Sequence, residues 1–339
     1  MGKTKSVVTS TSTGENMKQN PFKRIALANE FGVAVAIGII ISVAVSLTPN
    51  FLVGSNINTI LQQISYVAIV ASGMTLVIIA GEIDLSIGSI YGLSAVLFTW
   101  LASSMDWPIL PSVMLAVLFG GFLGWLNGIV TTKLNIPSFV VTLAGLGALR
   151  GVSLLLSGGV PLYAKESLWF SSLVGGSWLG ISAQVFWMIG ICGVVGIILK
   201  KTKFGSDIYA VGGNKIAAAN AGINVHLVKI KVFTISGLLA GWSGVMLVGW
   251  LGSSNPLTGQ GFELLVVAAI AVGGASLFGG TGTILGTVLG AITGGVITNA
   301  MVLVGINGNW NFVANGLLIL GAVMVNTYAA KRKKSAYTL

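Results

Sequence analysis

Ten apolar stretches of roughly membrane-crossing length follow one another along this chain, and that succession restricts its fold more than any motif does. A helix needs about 20 residues, at 1.5 Å each, to cross a ~30 Å hydrocarbon layer. The stretches run from about Phe31 to Leu47, Ile57 to Ala80, Ile90 to Ser104, Leu110 to Val130 and Pro137 to Ser157. They continue from Ala183 to Leu199, Val232 to Leu251, Glu263 to Leu277, Ile284 to Val304 and Phe312 to Tyr328. Only 8% of the residues are charged, whereas a soluble domain carries roughly 25%. The expected fold is all-α and polytopic, with about ten transmembrane helices in a membrane domain over residues 31–328.

The net charge of +10 describes topology rather than a nucleic-acid surface. Apart from Arg150 and Lys165, the other sixteen of the eighteen Lys and Arg residues fall in segments that ten crossings place on one side. Basic loops stay in the cytoplasm. Both termini are therefore expected there: a polar, Ser/Thr-rich N-terminal tail over residues 1–30 and a basic tail over residues 329–339, the latter carrying Lys331, Arg332, Lys333 and Lys334. Residues 1–20 have no apolar core with a cleavage site and do not resemble a signal peptide. In the long outer loop, Trp169 and Trp178 are candidate interfacial anchors. A single cysteine, Cys192, and a single histidine, His226, leave no thiolate or histidine metal site to build. No GxxxxGK[ST] pattern occurs, so no P-loop, no ATPase site and no catalytic residues are expected in this chain.

The long polar passage Lys200 to Lys231 holds six lysines and one acid, Asp207, between two apolar blocks. Its middle, Gly212 to Gly222, sets Ala217, Ala218 and Ala219 between glycine stops and predicts a short surface helix. Two roles compete, a plain connector and a lever through which a soluble partner moves the spans. Gly212, Gly213, Asn214, Ala217, Ala218 and Gly222 are the candidate residues.

Gly120, Gly124 and Gly128 share one helix face at four-residue spacing, as do Gly282, Gly286, Gly290 and Gly294. Close helix packing is the expected role, with a pore-facing groove as the second reading of the latter series. Glu82 and Asp84 are the paired carboxylates, in GEIDLSIGS over residues 81–89. Acids near lipid need water or partners, and three uses are open for them: capping the helix that begins near Ser86, hydrogen-bonding a polar solute along a transport path, or binding a cation or proton. Arg150 lies about 13 residues beyond Pro137, hence ~20 Å along its helix, and is expected to snorkel to the outer headgroups. GGASLFGG, over residues 273–280, weakly echoes GEIDLSIG. The Gly-rich stretch Gly273 to Gly282 is either a turn or a re-entrant break.

Four segments together resemble the permease subunits of ATP-binding-cassette importers for ribose, xylose, arabinose, galactosides and autoinducer-2. They are Gly73 to Ser89, Ile136 to Gly159, Thr202 to Val225 and the run from Gly259 to Gly290, within a similarity reaching from about Phe31 to Asn326. The family reads Gly-Gly-Ile-Asp-Leu-Ser where this chain has Glu82 as its second residue. Its coupling segment reads Glu-Ala-Ala with a later Gly, which Ala217, Ala218 and Gly222 match while Ile216 replaces the Glu. The resemblance implies a permease moving a sugar-like solute inward across a bacterial plasma membrane. It also implies a second permease copy or paralogue, a cytoplasmic ATPase that binds ATP and Mg, and an extracytoplasmic solute-binding protein. An ion-coupled secondary transporter using Glu82 or Asp84, and a permease for branched-chain amino acids, are the alternatives.

Overall fold

The computed structural model describes residues 29–165 and 167–336, so the expected tail over residues 1–30 lies almost wholly outside the described residues. The labelled helices are α1 (Asn29–Leu47), α2 (Gly54–Ile79), α3 (Ile87–Thr99), α4 (Ile109–Lys133), α5 (Ser138–Ser157) and α6 (Ala183–Lys201). They continue with α7 (Lys203–Gly213), α8 (Lys215–Asn220), α9 (Val225–Leu251), α10 (Phe262–Val272), α11 (Ile284–Leu303) and α12 (Trp310–Ala336). Among the described residues, seven helices are long and apolar enough to cross a membrane: α2, α3 with the π turn Trp100–Ser104 that extends it, α4, α5, α6, α9 and α11. The apolar parts of α1, α10 and α12 are shorter.

The centre of the bundle is α2, in which every residue from Ile64 to Ile79 is buried. A helix apolar on all sides belongs inside a larger assembly of helices, and α2 packs against α6, α9, α10 and α11. Helix α9 lies most closely along α4 and also touches α3. A Cβ at Gly120 would stand 2.7 Å from Gly237 O and one at Gly128 2.8 Å from Ile230 Cα, while Gly124 faces Phe233 O. The two backbones touch where lipid supplies no hydrophobic drive, so dispersion holds them. On α11, Gly286 faces Gly273 O, Gly290 faces Ala269 O, and Gly294 lies near Leu265 of α10. Hydrogen bonds pin α2 to α11: Thr75 Oγ1 meets Thr287 Oγ1 at 2.7 Å, and Asn56 and Asn299 exchange amide bonds at 3.1 and 2.9 Å.

Helix α10 corrects the expected span from Glu263 to Leu277. It has 11 residues, about 16 Å or half a hydrocarbon layer. Gly273 and Gly274 end it, Gly274 with φ +85°, and the chain folds into turns closed by Gly274 N–H to Ala271 O (3.1 Å) and Ala275 N–H to Ile270 O (3.2 Å). From the end of α9, residues 252–261 run back along α3, where a Cβ at Gly92 would meet Thr258 O and one at Gly88 would meet Gly259 O.

Irregular backbone at that depth needs donors and acceptors that lipid cannot provide. Arg150 supplies donors. Its Nη1 donates to Thr258 O at 2.6 Å and to Pro256 O at 3.1 Å, and Ser153 Oγ donates to Pro256 O at 3.3 Å. The snorkelling expected for Arg150 is thus corrected: the guanidinium turns inward because bare carbonyls lie within its reach. Among the described residues, four two-residue strands complete this end, β1 (Leu162–Tyr163), β2 (Ser177–Trp178), β3 (Ile181–Ser182) and β4 (Ser253–Ser254). They form two antiparallel pairs, β1 with β4 and β2 with β3. Trp169 is half exposed, and Trp178 Nε1 donates to Ser172 O at 3.0 Å.

Candidate functional site

The lysine-rich passage forms two short helices, each opened by a side-chain cap. Thr202 Oγ1 accepts the Gly205 N–H at 3.2 Å at the start of α7. At α8, Asn214 Oδ1 accepts those of Ile216 and Ala217, both at 3.0 Å, and Asn224 Oδ1 accepts that of Leu227 at 3.0 Å to begin α9. Such caps satisfy amide groups that helix geometry leaves bare, each contributing about 1 kcal/mol. Behind α8, Gly222 adopts φ +82°, a left-handed turn closed by Ile223 N–H to Ala218 O at 3.0 Å. Gly212 and Gly213 are the last residues of α7, not a stop before α8.

Exposure along α8 is one-sided. Lys215, Ile216, Ala217, Ala219 and Asn220 face outward, while Ala218 is buried. The helix is thus held by its Ala218 side and presents the others, including Ile216 at 68% exposure.

At the end of α7, three connections meet. Gly280 N–H, from the loop after α10, donates to Ile79 O at the end of α2 at 2.9 Å. Gly212 lies between them with no room for a side chain: a Cβ there would overlap Ile79 O and stand 2.7 Å from Gly280 N. Tyr209 on α7 donates its hydroxyl to Gly282 O at 2.7 Å. A Cβ on Gly279 would stand 2.9 Å from Gly81 Cα, so the two loops whose sequences echo one another are neighbours in space. Through Gly212 and Tyr209, α7 touches the end of α2 and the loop after α10.

The two acids of the first loop separate. Glu82 pairs with Lys229 of α9, both side chains about 15% exposed or less. Asp84 is fully buried: its Oδ1 accepts from Ser86 N–H at 3.0 Å and Ser86 Oγ–H at 2.6 Å, an Asx turn that leads into α3. Asn127 of α4 donates to Ser86 Oγ at 2.8 Å, and Ser138 at the start of α5 receives the Ile83 N–H at 3.2 Å. The loop is thereby tied to α4, α5 and α9. Burial pushes the Asp84 carboxyl up to about 6, opposed by its hydrogen bonds from Ser86. Neither Asp84 nor Ser86 has exposed surface in this conformation.

Lys229, Asn127, Ser138 and Tyr209 escaped the sequence reading. Lys229 alone left a signal, as a cation about one turn into a helix, but its partner is 147 residues away in sequence.

The family model described as "Branched-chain amino acid transport system / permease component" matches residues 56–327. The chain is 35% identical to the ribose import permease protein RbsC of Haemophilus influenzae, over 88% of this chain and 93% of that protein. It is 38% identical to the probable ABC transporter permease protein YphD of Escherichia coli, over 91% and 92% of the two chains. With the L-arabinose ABC transporter permease protein AraH of Azospirillum brasilense it shares 35% identity over 91% of each. No solved structure matches it.

Proposed function

The chain belongs to the branched-chain amino acid transport system / permease component family, and from that premise we propose that it is the membrane subunit of an ABC importer moving a sugar or sugar-like solute inward. Ribose and L-arabinose stand in the names of its relatives. A chain with 8% charged residues also offers few fixed charges for holding a zwitterion, which favours a sugar over a branched-chain amino acid. ATP and Mg are bound by a cytoplasmic ATPase partner. A second permease copy or paralogue and an extracytoplasmic solute-binding protein complete the assembly. We place it in a bacterial plasma membrane, crossing about ten times with both termini in the cytoplasm, where the positive-inside bias of Lys200–Lys231 puts α8.

The observation that carries this reading is α8 itself, a capped helix exposed on every residue but Ala218 and packed on α7, whose Gly212 and Tyr209 touch the end of α2 and the loop after α10. A helix held in this way seats in a cleft of the ATPase and converts closure of the nucleotide sites into movement of the spans. Ala218 faces inward, so a charge there would disturb the permease itself rather than the contact. Ala219→Arg instead changes the exposed face. The variant is expected to enter the membrane at normal yield and lose copurification with its ATPase; retention of the ATPase at wild-type stoichiometry would reduce α8 to a connector.

A further inference from the structure

A groove of 580 Å³ opens between the second half of α6, the start of α11 and Tyr209 of α7, within the ~300–1,000 Å³ range of small-molecule sites. Its floor is Gly193 and Gly196. A Cβ at Gly193 would meet nothing within 4 Å, and one at Gly196 would reach only Ile284 at 3.7 Å. Ile197 and Val288 are among the apolar residues of its walls, and Lys200 and Lys201 stand at the end nearest the junction. Both lysines are exposed, and among the described residues neither forms an ion pair. From Cys192 to Lys200 the groove follows α6 for ~12 Å, most of the ~15 Å depth of one leaflet. An apolar channel of leaflet depth ending in two unpaired cations matches one chemistry, an acyl chain carrying an anionic headgroup.

We propose that this groove is a binding site for an anionic phospholipid, its acyl chain against Gly193 and Gly196 and its phosphate between Lys200 and Lys201. The site adjoins the coupling junction through one residue, since Tyr209 both lines the groove and donates to Gly282 O. A bound lipid therefore supports the contact between α7 and the loop after α10, and its loss loosens that contact. This inference rests on the chain spanning a membrane, not on which solute it carries.

The test uses the full-length permease in nanodiscs of phosphatidylcholine with added phosphatidylglycerol, and reads retained lipid by native mass spectrometry. Wild-type protein is expected to retain phosphatidylglycerol in preference to phosphatidylcholine. Lys200→Gln/Lys201→Gln should lower that preference roughly thirtyfold, from the attraction of two basic residues at the surface. Gly193→Leu, which fills open space and favours the helix, should remove retained lipid of either headgroup. Equal retention of the two lipids by wild-type protein, or an unchanged preference in the double variant, would overturn the anionic site; retained lipid unaffected by Gly193→Leu would remove the groove as its place. Since the readout is lipid bound to the permease, solute uptake has no bearing on the outcome.

Discussion

Glu82 stands where the resembling family has glycine, and in sequence it looks like a surplus acid that a glycine could replace in silence. The structure reverses that expectation, because Lys229 has closed on it in a setting where little of either side chain is exposed. Removing one partner of a part-buried pair leaves the other charge without its counterpart and costs about 1–2 kcal/mol, between the exposed and the fully buried case. Glu82→Gly is therefore expected to lower the thermal stability of the purified permease, and Glu82→Gly/Lys229→Ala to recover most of the loss. Equal stability of Glu82→Gly and wild type would show that the pair contributes nothing. Arg150 teaches the same lesson: its charge was legible at once, but its direction depended on carbonyls at residues 256 and 258 that no local pattern announces.

At the scale of elements, length and apolarity were enough to find most helices, because crossing a membrane demands both. They failed at the ends and at breaks. Helix α9 begins at Val225 rather than near Val232, since Asn224 caps it and its first turns, with His226 and Lys229, are polar enough to read as loop. Helix α10 read as a full span because the residues beyond Val272 remain mostly apolar, and only the paired Gly273 and Gly274 mark its end. The junction was not legible, since which glycine touches which loop is decided by how the loops converge. Gly212 and Gly213 show this: adjacent and alike in sequence, they differ in that Gly212 is packed against Ile79 and Gly280 while Gly213 has nothing within 4 Å. Gly212→Ala should cost about 1–3 kcal/mol by overpacking and lower uptake, whereas Gly213→Ala should leave both near wild type. Matching phenotypes at the two positions would mean that the contact does not matter to the working protein.

For the whole molecule, the account depends first on which end faces the cytoplasm. Reporters fused after Lys203 and after Lys334 are expected to report cytoplasm, and one near Lys165 the outside, because basic loops are retained inside. An outside signal at Lys203 would detach α8 from any ATPase. On the orientation proposed above, α8 would face the ATPase and residues 252–261 would lie toward the incoming solute. The most direct measurement of the central claim is uptake of labelled pentose into proteoliposomes holding this permease and its ATPase, with the solute-binding protein outside and ATP enclosed. We expect uptake to require both the ATPase and ATP, to survive collapse of the proton and sodium gradients, and to be lost in Ala219→Arg. Uptake that persists without the ATPase and disappears with an ion gradient would contradict the account and make the chain a secondary transporter.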